Sequence, residues 1–365
     1  MTPPPLNKAA IPAKGLAAFL ASSHLDRFSG GSVSMLARQY AGVYATRPTS
    51  WLAAMARNTE LSRDDAIAAE TDTDLLRVPG MRRSKFLLPK DLAYTVFAAT
   101  RKPLSTHEWR LTDAGLTVAD YEKHRPALVA MTTKTPLRLR DIGKTLALPP
   151  PIVRTLITVA CYDGHIVRAA PPNIWSNRWW YQAAPTLLTA PGNSESALRS
   201  LAQGYVRQYG PVSVADLAWW AGVSKTVARG LILASDAIEI ATDFWLSPED
   251  RENFEKKISG PATIWRDNIR FLPAWDPLSM GYAPGGIQRR ALGLDESGGY
   301  DTAGNGLPVV LFKGRAITTW RTSLHSKQRT LDFDPAPLDA TTNRAIRAAA
   351  SVWADRIGVK YTNNS

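Results

Sequence analysis

Lysine and arginine are concentrated in stretches of this sequence that contain no aspartate or glutamate. Three such stretches are residues 75–90, 123–140 and 302–331. Cationic side chains bind phosphate oxygens, so several such stretches converging on one groove would form a polyanion site. The alternative is a basic surface that only faces solvent. The candidate polyanion contacts, chosen from these stretches and from the helices and hairpins described below, are Arg82, Arg83, Lys85, Arg178, Lys225, Arg229, Lys313, Arg315 and Arg321.

Tryptophan is abundant, with 12 residues in the chain, and three of them lie within residues 175–180. Beside Arg178, an exposed indole could stack on an unpaired nucleobase, and Trp179 and Trp180 are the two candidates for this contact. The alternative is that these indoles pack in a core. Trp219 and Trp220 fall inside a helical pattern, and we expect both to be core residues.

The overall composition agrees with a polyanion-binding protein. The 365 residues contain 44 Lys and Arg against 32 Asp and Glu, a net charge of +12, and the pI is near 9.8. Such a charge favours nucleic acid or an anionic membrane surface. The sequence has no apolar run of membrane-spanning length and no signal-peptide pattern, so we expect a cytoplasmic protein without membrane contact. Cys161 is the single cysteine and there are five histidines, so we expect no disulfide, metal or cofactor.

An internal repeat gives the fold its clearest signal. Residues 136–157 and 211–232 align without a gap at an offset of 75. Apolar character is kept at most of the other core-type positions, which indicates that one supersecondary unit was duplicated. The identical pairs are Pro136/Pro211, Asp141/Asp216, Arg154/Arg229, Leu156/Leu231 and Ile157/Ile232.

The second copy predicts a helix-turn-helix. Ser213 can cap the first helix, with Asp216 three residues later in a capping-box arrangement. Gly222 marks the turn, because glycine readily adopts the backbone conformation that a sharp turn needs. Ser224 caps a second helix, whose basic face includes Lys225. In the first copy, three prolines at 149–151 replace the turn and cap.

Each copy is followed by residues that predict a β-hairpin. Residues 165–168 and 179–182 can pair after the first copy, and residues 236–246 form a shorter hairpin after the second. A helix-turn-helix with a hairpin is the winged-helix unit, which contacts DNA in many proteins but also serves as a scaffold or dimerisation module.

The remaining sequence extends this pattern at both ends. Helices are predicted at 14–28, at 32–46, from Ser50 and from Ser62, followed by a hairpin turning at Pro79–Gly80. Near the C-terminus a hairpin is predicted at 313–315 and a helix from 338. We expect an α+β protein, mainly α, with tandem winged-helix units and a small β-rich C-terminal part. The predicted units are residues 14–100, 101–190, 195–255, 260–335 and 338–365.

Several of these segments, in their order, resemble a known family. The segments are MRRSKFLLPKDL, YGPVSVADLAWWAGVS, LPAWDPLSMGY and GRAITTWR, within roughly residues 14–330. They resemble the bacterial winged-helix DNA glycosylases, a family that includes the azinomycin-resistance glycosylase and an enterobacterial relative. The resemblance implies a C-shaped molecule whose basic channel binds damaged or adducted double-stranded DNA. It also implies cleavage of the N-glycosidic bond of alkylated purines in DNA repair, or unhooking of toxin-made interstrand crosslinks in antibiotic self-resistance.

The residues at the family's catalytic positions differ in this sequence. Such glycosylases carry Gln-x-Gln or Gln-x-Asp, whose amide or carboxylate holds the attacking water and the developing positive charge of the sugar. Tyr44 and Thr46 occupy those two positions in the segment 42–48. Gln39 lies five residues before Tyr44, more than one helical turn away, so it is a weak substitute. Whether the chain is an enzyme, a glycosylase acting on N-glycosyl bonds, therefore stays open.

Asp276, in the sequence Trp-Asp-Pro, has two interpretations. An aspartate before proline commonly caps a turn. If it faced the channel, it could instead act as a general base.

Two functions other than catalysis are compatible with this sequence. One is a non-catalytic winged-helix protein that binds DNA or an adduct, or a regulator on the same scaffold, which the missing Gln motif favours. The other is a sequence-specific repressor, which would need a dimer and a palindromic site. No dimerisation helix is evident, and we expect a monomer.

Overall fold

The computed structural model describes residues 11–28, 30–72, 74–190, 192–259, 269–334 and 338–362. It is an α+β protein in which helix predominates, as the sequence predicted. The elements of the N-terminal part are α1 (Ala13–Ala21), α2 (Val33–Gln39), β1 (Val43–Tyr44), α3 (Thr49–Arg57), α4 (Arg63–Ala69), β2 (Leu75–Pro79), β3 (Lys85–Pro89) and α5 (Lys90–Thr100).

One helix prediction for this part of the chain is wrong. Residues 32–46 do not form a single helix: α2 ends at Gln39, because Ala41 and Gly42 adopt positive φ angles of 51° and 108°. The chain then enters β1, where Tyr44 lies opposite Phe86 of β3. Tyr44 is therefore a strand residue and not the end of a helix. The capping of α4 by Ser62 is confirmed, because its hydroxyl accepts from the Asp65 amide.

The first repeat copy forms the predicted pair of helices and hairpin. The elements from α6 to α10 are α6 (Glu108–Asp113), α7 (Val118–Thr132), β4 (Leu137–Arg138), α8 (Leu139–Leu146), α9 (Pro150–Asp163), β5 (Ile166–Ala169), β6 (Trp180–Ala183) and α10 (Ser194–Tyr209). The axes of α8 and α9 differ by 110°, and β5 pairs antiparallel with β6. The turn between the helices is made by Ala147, with φ 53°.

The second repeat copy has the same order of elements. They are α11 (Val214–Ala221), α12 (Lys225–Leu233), β7 (Ile238–Ala241) and β8 (Phe244–Leu246). The capping box of Ser213 and Asp216 is present, Gly222 has φ 73°, and the Ser224 hydroxyl accepts from the Val227 amide. Each of these local predictions is confirmed.

The C-terminal part is a sheet with short helices and one long helix. Its elements are α13 (Arg251–Ser259), β9 (Ile269–Leu272), α14 (Pro277–Met280), α15 (Ile287–Ala291), β10 (Val309–Phe312), β11 (Arg315–His325), β12 (Gln328–Phe333), α16 (Ala340–Ile357) and β13 (Lys360–Tyr361). The hairpin at 313–315 and the C-terminal helix are confirmed. The strand order of this sheet is β13-β12-β11-β10-β9.

The first sheet crosses a predicted unit boundary. Its order is β1-β3-β2-β5-β6-β4, so strands on both sides of residue 100 pair with one another. Side chains of α7, α8 and α9 form one buried cluster, whereas residues before 100 share a second cluster with α10, α11 and the C-terminal sheet. The division into five units stays a prediction. The shared sheet and core fix the positions of the helices and strands that carry the basic residues.

A buried polar network ties distant segments together near α1. His24, in the π-helical turn Ser22–Asp26 that extends α1, lies with its Nε2 2.9 Å from Tyr282 Oη. Its carbonyl oxygen accepts from Arg57 Nε at 2.9 Å. Burial, followed by the charges of Arg57 and Arg27, holds the pKa of His24 well below its usual 6.5. The folded protein therefore keeps this imidazole neutral.

The protein is expected to lose stability as the pH falls below about 6.5. In the unfolded chain His24 binds a proton in this range, whereas in the folded protein the buried imidazole stays neutral. One such group contributes a slope of up to about 1.4 kcal/mol per pH unit. Urea titrations between pH 7.5 and about 5 should show the free energy of unfolding falling with pH. His24→Gln, which can still hydrogen-bond Tyr282, should reduce the slope and leave the part due to His107, whose pKa burial also lowers. Equal slopes in both proteins would contradict this account.

Candidate nucleic-acid interface

The loop between β2 and β3 is the most strained part of the predicted basic surface. It contains the 3-10 turn Met81–Arg83, in which Arg82 has φ 50° and Arg83 has φ 61°. Two consecutive non-glycine residues in the left-handed region cost roughly 1–3 kcal/mol each. Surrounding contacts must therefore hold the loop in place. We refer to residues 80–85, which include the first residue of β3, as the bridging loop.

Arg82 fixes one side of the bridging loop to the second repeat copy. Its guanidinium carbon lies 3.7 Å from the centre of the Trp219 ring of α11, and its Nη2 donates to Tyr44 Oη at 2.8 Å. Gly222 packs directly on the loop, since a Cβ there would lie 3.4 Å from the Arg82 backbone nitrogen. Trp219 is thus half-buried beneath an arginine and is not the fully enclosed core residue that the sequence indicated.

Tyr162 of α9 fixes the other side of the bridging loop. Its hydroxyl donates to the Arg83 carbonyl at 3.0 Å and accepts from Lys85 Nζ at 2.5 Å. The Lys85 ammonium also lies 4.2 Å from the centre of the Tyr162 ring. The loop therefore joins the two helix pairs, and three of the predicted polyanion contacts lie between them.

The outer face of α12 carries further accessible cations. Lys225, Thr226 and Arg229 are exposed, while Ala228 and Ile232 of the same helix are buried. The three exposed residues line an open depression of about 330 Å³. Asp243 lines the same depression, so this face is polar and mostly basic, and it is open to a partner.

The β5–β6 connection gives a mixed result. Arg178 is exposed. Trp179 is only 7% exposed, and the guanidinium groups of Arg77 and Arg168 lie 5.5 and 5.6 Å from its ring centre. A covered indole cannot accept a stacked nucleobase, so the structure favours the packed interpretation of Trp179.

The three predicted contacts in the C-terminal sheet already have protein partners. Arg321 pairs with Asp332 at 2.7 Å and with Asp334 at 3.0 Å. Arg315 Nη1 donates to the Ala291 carbonyl at 2.6 Å, and Lys313 lies over the Phe312 ring with its Nζ 5.0 Å from the centre. Because two carboxylates neutralise Arg321, we no longer expect it to contribute a full charge to phosphate binding.

Tyr44 and Thr46 lie beside the bridging loop, but their side chains differ in solvent exposure. Tyr44 is 4% exposed, with its ring centre 4.6 Å from that of Phe86 and 5.1 Å from that of Trp275. Burial raises its pKa, more than the Arg82 charge lowers it, so the phenol stays protonated at neutral pH. Thr46 is half-buried, and its hydroxyl makes no hydrogen bond within the described residues. Of the two, Thr46 is better placed to hold a water molecule.

The two weaker catalytic candidates lie elsewhere. Gln39 is half-buried at the end of α2. Asp276 is 0% exposed, and its two oxygens each accept from Arg57 at 2.8 Å. One of them also accepts from the Leu278 amide at 2.9 Å and caps α14. An enclosed, fully hydrogen-bonded carboxylate has no access to substrate, so the geometry favours capping over a general base.

Sequence reasoning missed the residues that hold the bridging loop. Tyr162 and Trp219 lie inside helical patterns, where an aromatic residue normally indicates core. Arg289, 5.1 Å from the Trp219 ring and 3.8 Å from the Tyr300 ring, was also missed. No local signal separates these residues from ordinary packing, since their partners lie far away in sequence.

In the described part of the chain, no group of three or more His, Cys, Asp and Glu residues could hold a metal ion. No single helix there is long and apolar enough to cross a bilayer, and α8 and α9 qualify only when joined across their bend.

A basic surface carried on repeated helix pairs is typical of many nucleic-acid-binding proteins. A sequence model described as DNA glycosylase AlkZ-like matches residues 37–355, and the chain belongs to this AlkZ-like family. Among solved structures, the chain is similar in fold to the DNA glycosylase AlkZ of Streptomyces sahachiroi, with a TM-score of 0.68 and 17% sequence identity. The alignment covers 96% of this chain and 98% of that one. No curated protein sequence matches it significantly.

Proposed function

We propose that this protein is a DNA glycosylase that binds damaged duplex DNA and hydrolyses the N-glycosidic bond of a modified purine. One observation carries the proposal. The bridging loop, with Arg82, Arg83 and Lys85, is held between two repeated helix pairs and lies directly beside the chain positions of the family's catalytic motif. The protein would then bind the DNA phosphates directly beside the nucleotide that reacts.

We interpret each helix pair with its hairpin as a winged helix in a C-shaped array. In this interpretation, α12 and the bridging loop bind the phosphate backbone and so recognise a distorted duplex by shape, without a base code. We propose that the protein acts as a monomer in the cytoplasm. A more specific proposal for the substrate is an interstrand crosslink made by a toxin. The protein would remove such a crosslink as part of antibiotic self-resistance.

The chemistry requires a water molecule and control of positive charge. Loss of an alkylated purine gives an oxocarbenium-like sugar, and the departing base is already activated by its own charge. Thr46 would orient the attacking water through its hydroxyl. The positive charge of Arg82 would disfavour a cationic sugar nearby unless a DNA phosphate neutralised the guanidinium. We therefore propose that Arg82 binds the phosphate that flanks the lesion. Tyr44 orients Arg82 through the hydrogen bond at 2.8 Å.

The proposal predicts that abasic sites accumulate in duplex DNA containing 7-methylguanine or a toxin crosslink. Thr46→Ala should lower the rate of base release by about 100-fold, the order of loss when a reacting group is misplaced by about 1 Å, because the attacking water is no longer held in position. Tyr44→Phe should lower it by about tenfold, because Arg82 loses a hydrogen bond. Alkaline cleavage of labelled duplex measures both rates.

Thr133→Ala, at the exposed threonine that follows α7, is the matched control and should keep the wild-type rate. Base release that survives both site substitutions would place the chemistry at other residues.

A non-catalytic function has one observation in its favour. Tyr44 is enclosed and already hydrogen-bonded to Arg82, and neither catalytic position carries an amide or a carboxylate. A protein that binds adducted DNA and shields it would need only the basic surface. Tight duplex binding with no abasic sites from either substrate would establish this function and refute hydrolysis.

A further inference from the structure

A small cavity lies between the bridging loop, the C-terminal end of α5 and the segment that precedes α6. Its volume of about 20 Å³ is room for one water-sized oxygen. Three cationic side chains line it, and no aspartate or glutamate of the described residues does so. The cationic residues are Arg83, Arg101 and Lys102, and all three are exposed.

The most enclosed polar group of this cavity is an imidazole without a hydrogen bond. His107 ends the 3-10 turn Leu104–His107, lines the cavity and is 2% exposed. Its ring stacks on that of Tyr162, with the ring centres 4.6 Å apart and 14° between the planes. The imidazole forms no hydrogen bond within the described residues. Because buried polar groups nearly always have a partner, a bound group that hydrogen-bonds His107 would explain this position.

The charges around this imidazole are mainly positive. Burial lowers the pKa of His107, and the charges of Arg83, Arg110 and Lys85 lower it further, whereas Asp163 raises it. These cations come from three different elements, namely the bridging loop, α6 and the first residue of β3. The fold therefore gathers like charges around one buried ring, which an anion at the same place would relieve.

The carboxylates of this region do not supply that anion. Asp163 accepts from Arg101 at 2.8 Å and from Tyr121 at 3.0 Å, and it does not line the cavity. Glu108 follows the histidine in sequence, but it is exposed and does not line the cavity either. Arg83 and Lys102 form no ion pair within the described residues. These two cations are thus available to an anion from solution.

We propose that this cavity is a phosphate-binding site, with one phosphate oxygen inside it beside His107 and the others at its rim against Arg83 and Lys102. The imidazole donates an N–H to the enclosed oxygen. The Arg83 guanidinium can bind two oxygens of one phosphate group, and Lys102 adds a point charge. The phosphate is either free or part of a DNA backbone. Only the second source rests on the proposed DNA binding, and neither requires base release.

NMR of the histidine side chains, recorded on the full chain during titration with inorganic phosphate, tests the site. The chain has five histidines, and the signals of His107 are identified by their loss in His107→Gln. Phosphate added at constant ionic strength should shift these signals saturably and raise the pKa of His107, because a bound anion favours the protonated ring. The signals of His24, which does not line the cavity, should not move.

Two variants at exposed positions test the rim of the cavity. Arg83→Ala and Lys102→Ala should each weaken phosphate binding by about tenfold, the effect of losing a charge-assisted hydrogen bond. Lys256→Ala removes an exposed lysine of α13 that does not line the cavity, and it is the matched control. Signals of His107 that phosphate leaves unchanged would overturn the proposal, as would equal weakening by Lys102→Ala and Lys256→Ala.

An undamaged short duplex identifies the source of the phosphate. If the duplex shifts the same His107 signals and competes with inorganic phosphate, the site binds a phosphate of the DNA backbone. If inorganic phosphate binds and the duplex leaves His107 unchanged, the site binds a free phosphate. A duplex effect without binding of inorganic phosphate would refute a phosphate pocket. No lesion or base release enters these measurements, so failure of the glycosylase proposal would be seen separately.

Discussion

Asp276→Ala is expected to lower the free energy of unfolding by about 3–5 kcal/mol, the usual loss when one partner of a buried ion pair is removed. Arg57 and Asp276 are both completely enclosed. Burial alone would lower the pKa of Arg57, but the charge and hydrogen bonds of Asp276, together with Tyr40, outweigh burial and raise it. Without the carboxylate, the fold must bury an uncompensated guanidinium. Urea denaturation at neutral pH measures the change.

Asp91→Ala is the matched control, because Asp91 also makes two hydrogen bonds to an arginine, Arg38, but in an exposed pair. This control should lose no more than about 1 kcal/mol. Replacing Arg57 and Asp276 together with Met and Leu should recover part of the loss, since no charge then stays buried. Similar losses for Asp91→Ala and Asp276→Ala would show that burial does not determine the contribution of this pair.

Features set by neighbouring residues could be predicted from the sequence. The Ser213–Asp216 capping box, the Ser62 and Ser224 caps and the left-handed turn at Gly222 each depend on a few adjacent residues. The duplicated helix pair follows from the same local rules applied twice, with apolar spacing that fixes which faces pack.

Features set by distant contacts could not be predicted. Ala147 occupies the turn position that Gly222 holds in the other copy, and nothing in an alanine signals a left-handed turn. The helix predicted over 32–46 is interrupted because β1 gains a partner in β3, and pairing of this kind outweighs local propensity. Arg57 and Asp276 are 219 positions apart.

In the candidate interface, too, the sequence predicts some residues, whereas the ion pairs that they form are seen only in the structure. Acid-free windows predicted Arg82, Arg83 and Lys85 as phosphate contacts, and none of the three forms an ion pair within the described residues. The same criterion selected Arg321, which pairs with Asp332 and Asp334 just past the end of its window. Charge counted along a chain cannot detect the neighbour that an antiparallel strand brings back.

The affinity for duplex DNA is expected to fall by about 10³-fold between roughly 50 and 200 mM salt, if the bridging loop and α12 together neutralise about six phosphates. Each bound phosphate releases counterions, so the logarithm of affinity falls linearly with the logarithm of salt concentration, with a slope near −0.9 per contact. Fluorescence anisotropy with an undamaged duplex measures this slope without requiring catalysis.

Single substitutions then show which cations touch phosphate. Lys225→Ala and Arg229→Ala should each make the slope shallower by about one contact, because both side chains are exposed and form no ion pair in the described structure, although Asp243 lines the same depression. Arg321→Ala should leave the slope nearly unchanged, because Asp332 and Asp334 already neutralise that guanidinium. A salt-independent affinity would refute electrostatic binding altogether. The reverse order, with Arg321→Ala changing the slope and the α12 variants leaving it unchanged, would move the DNA-binding surface to the C-terminal sheet.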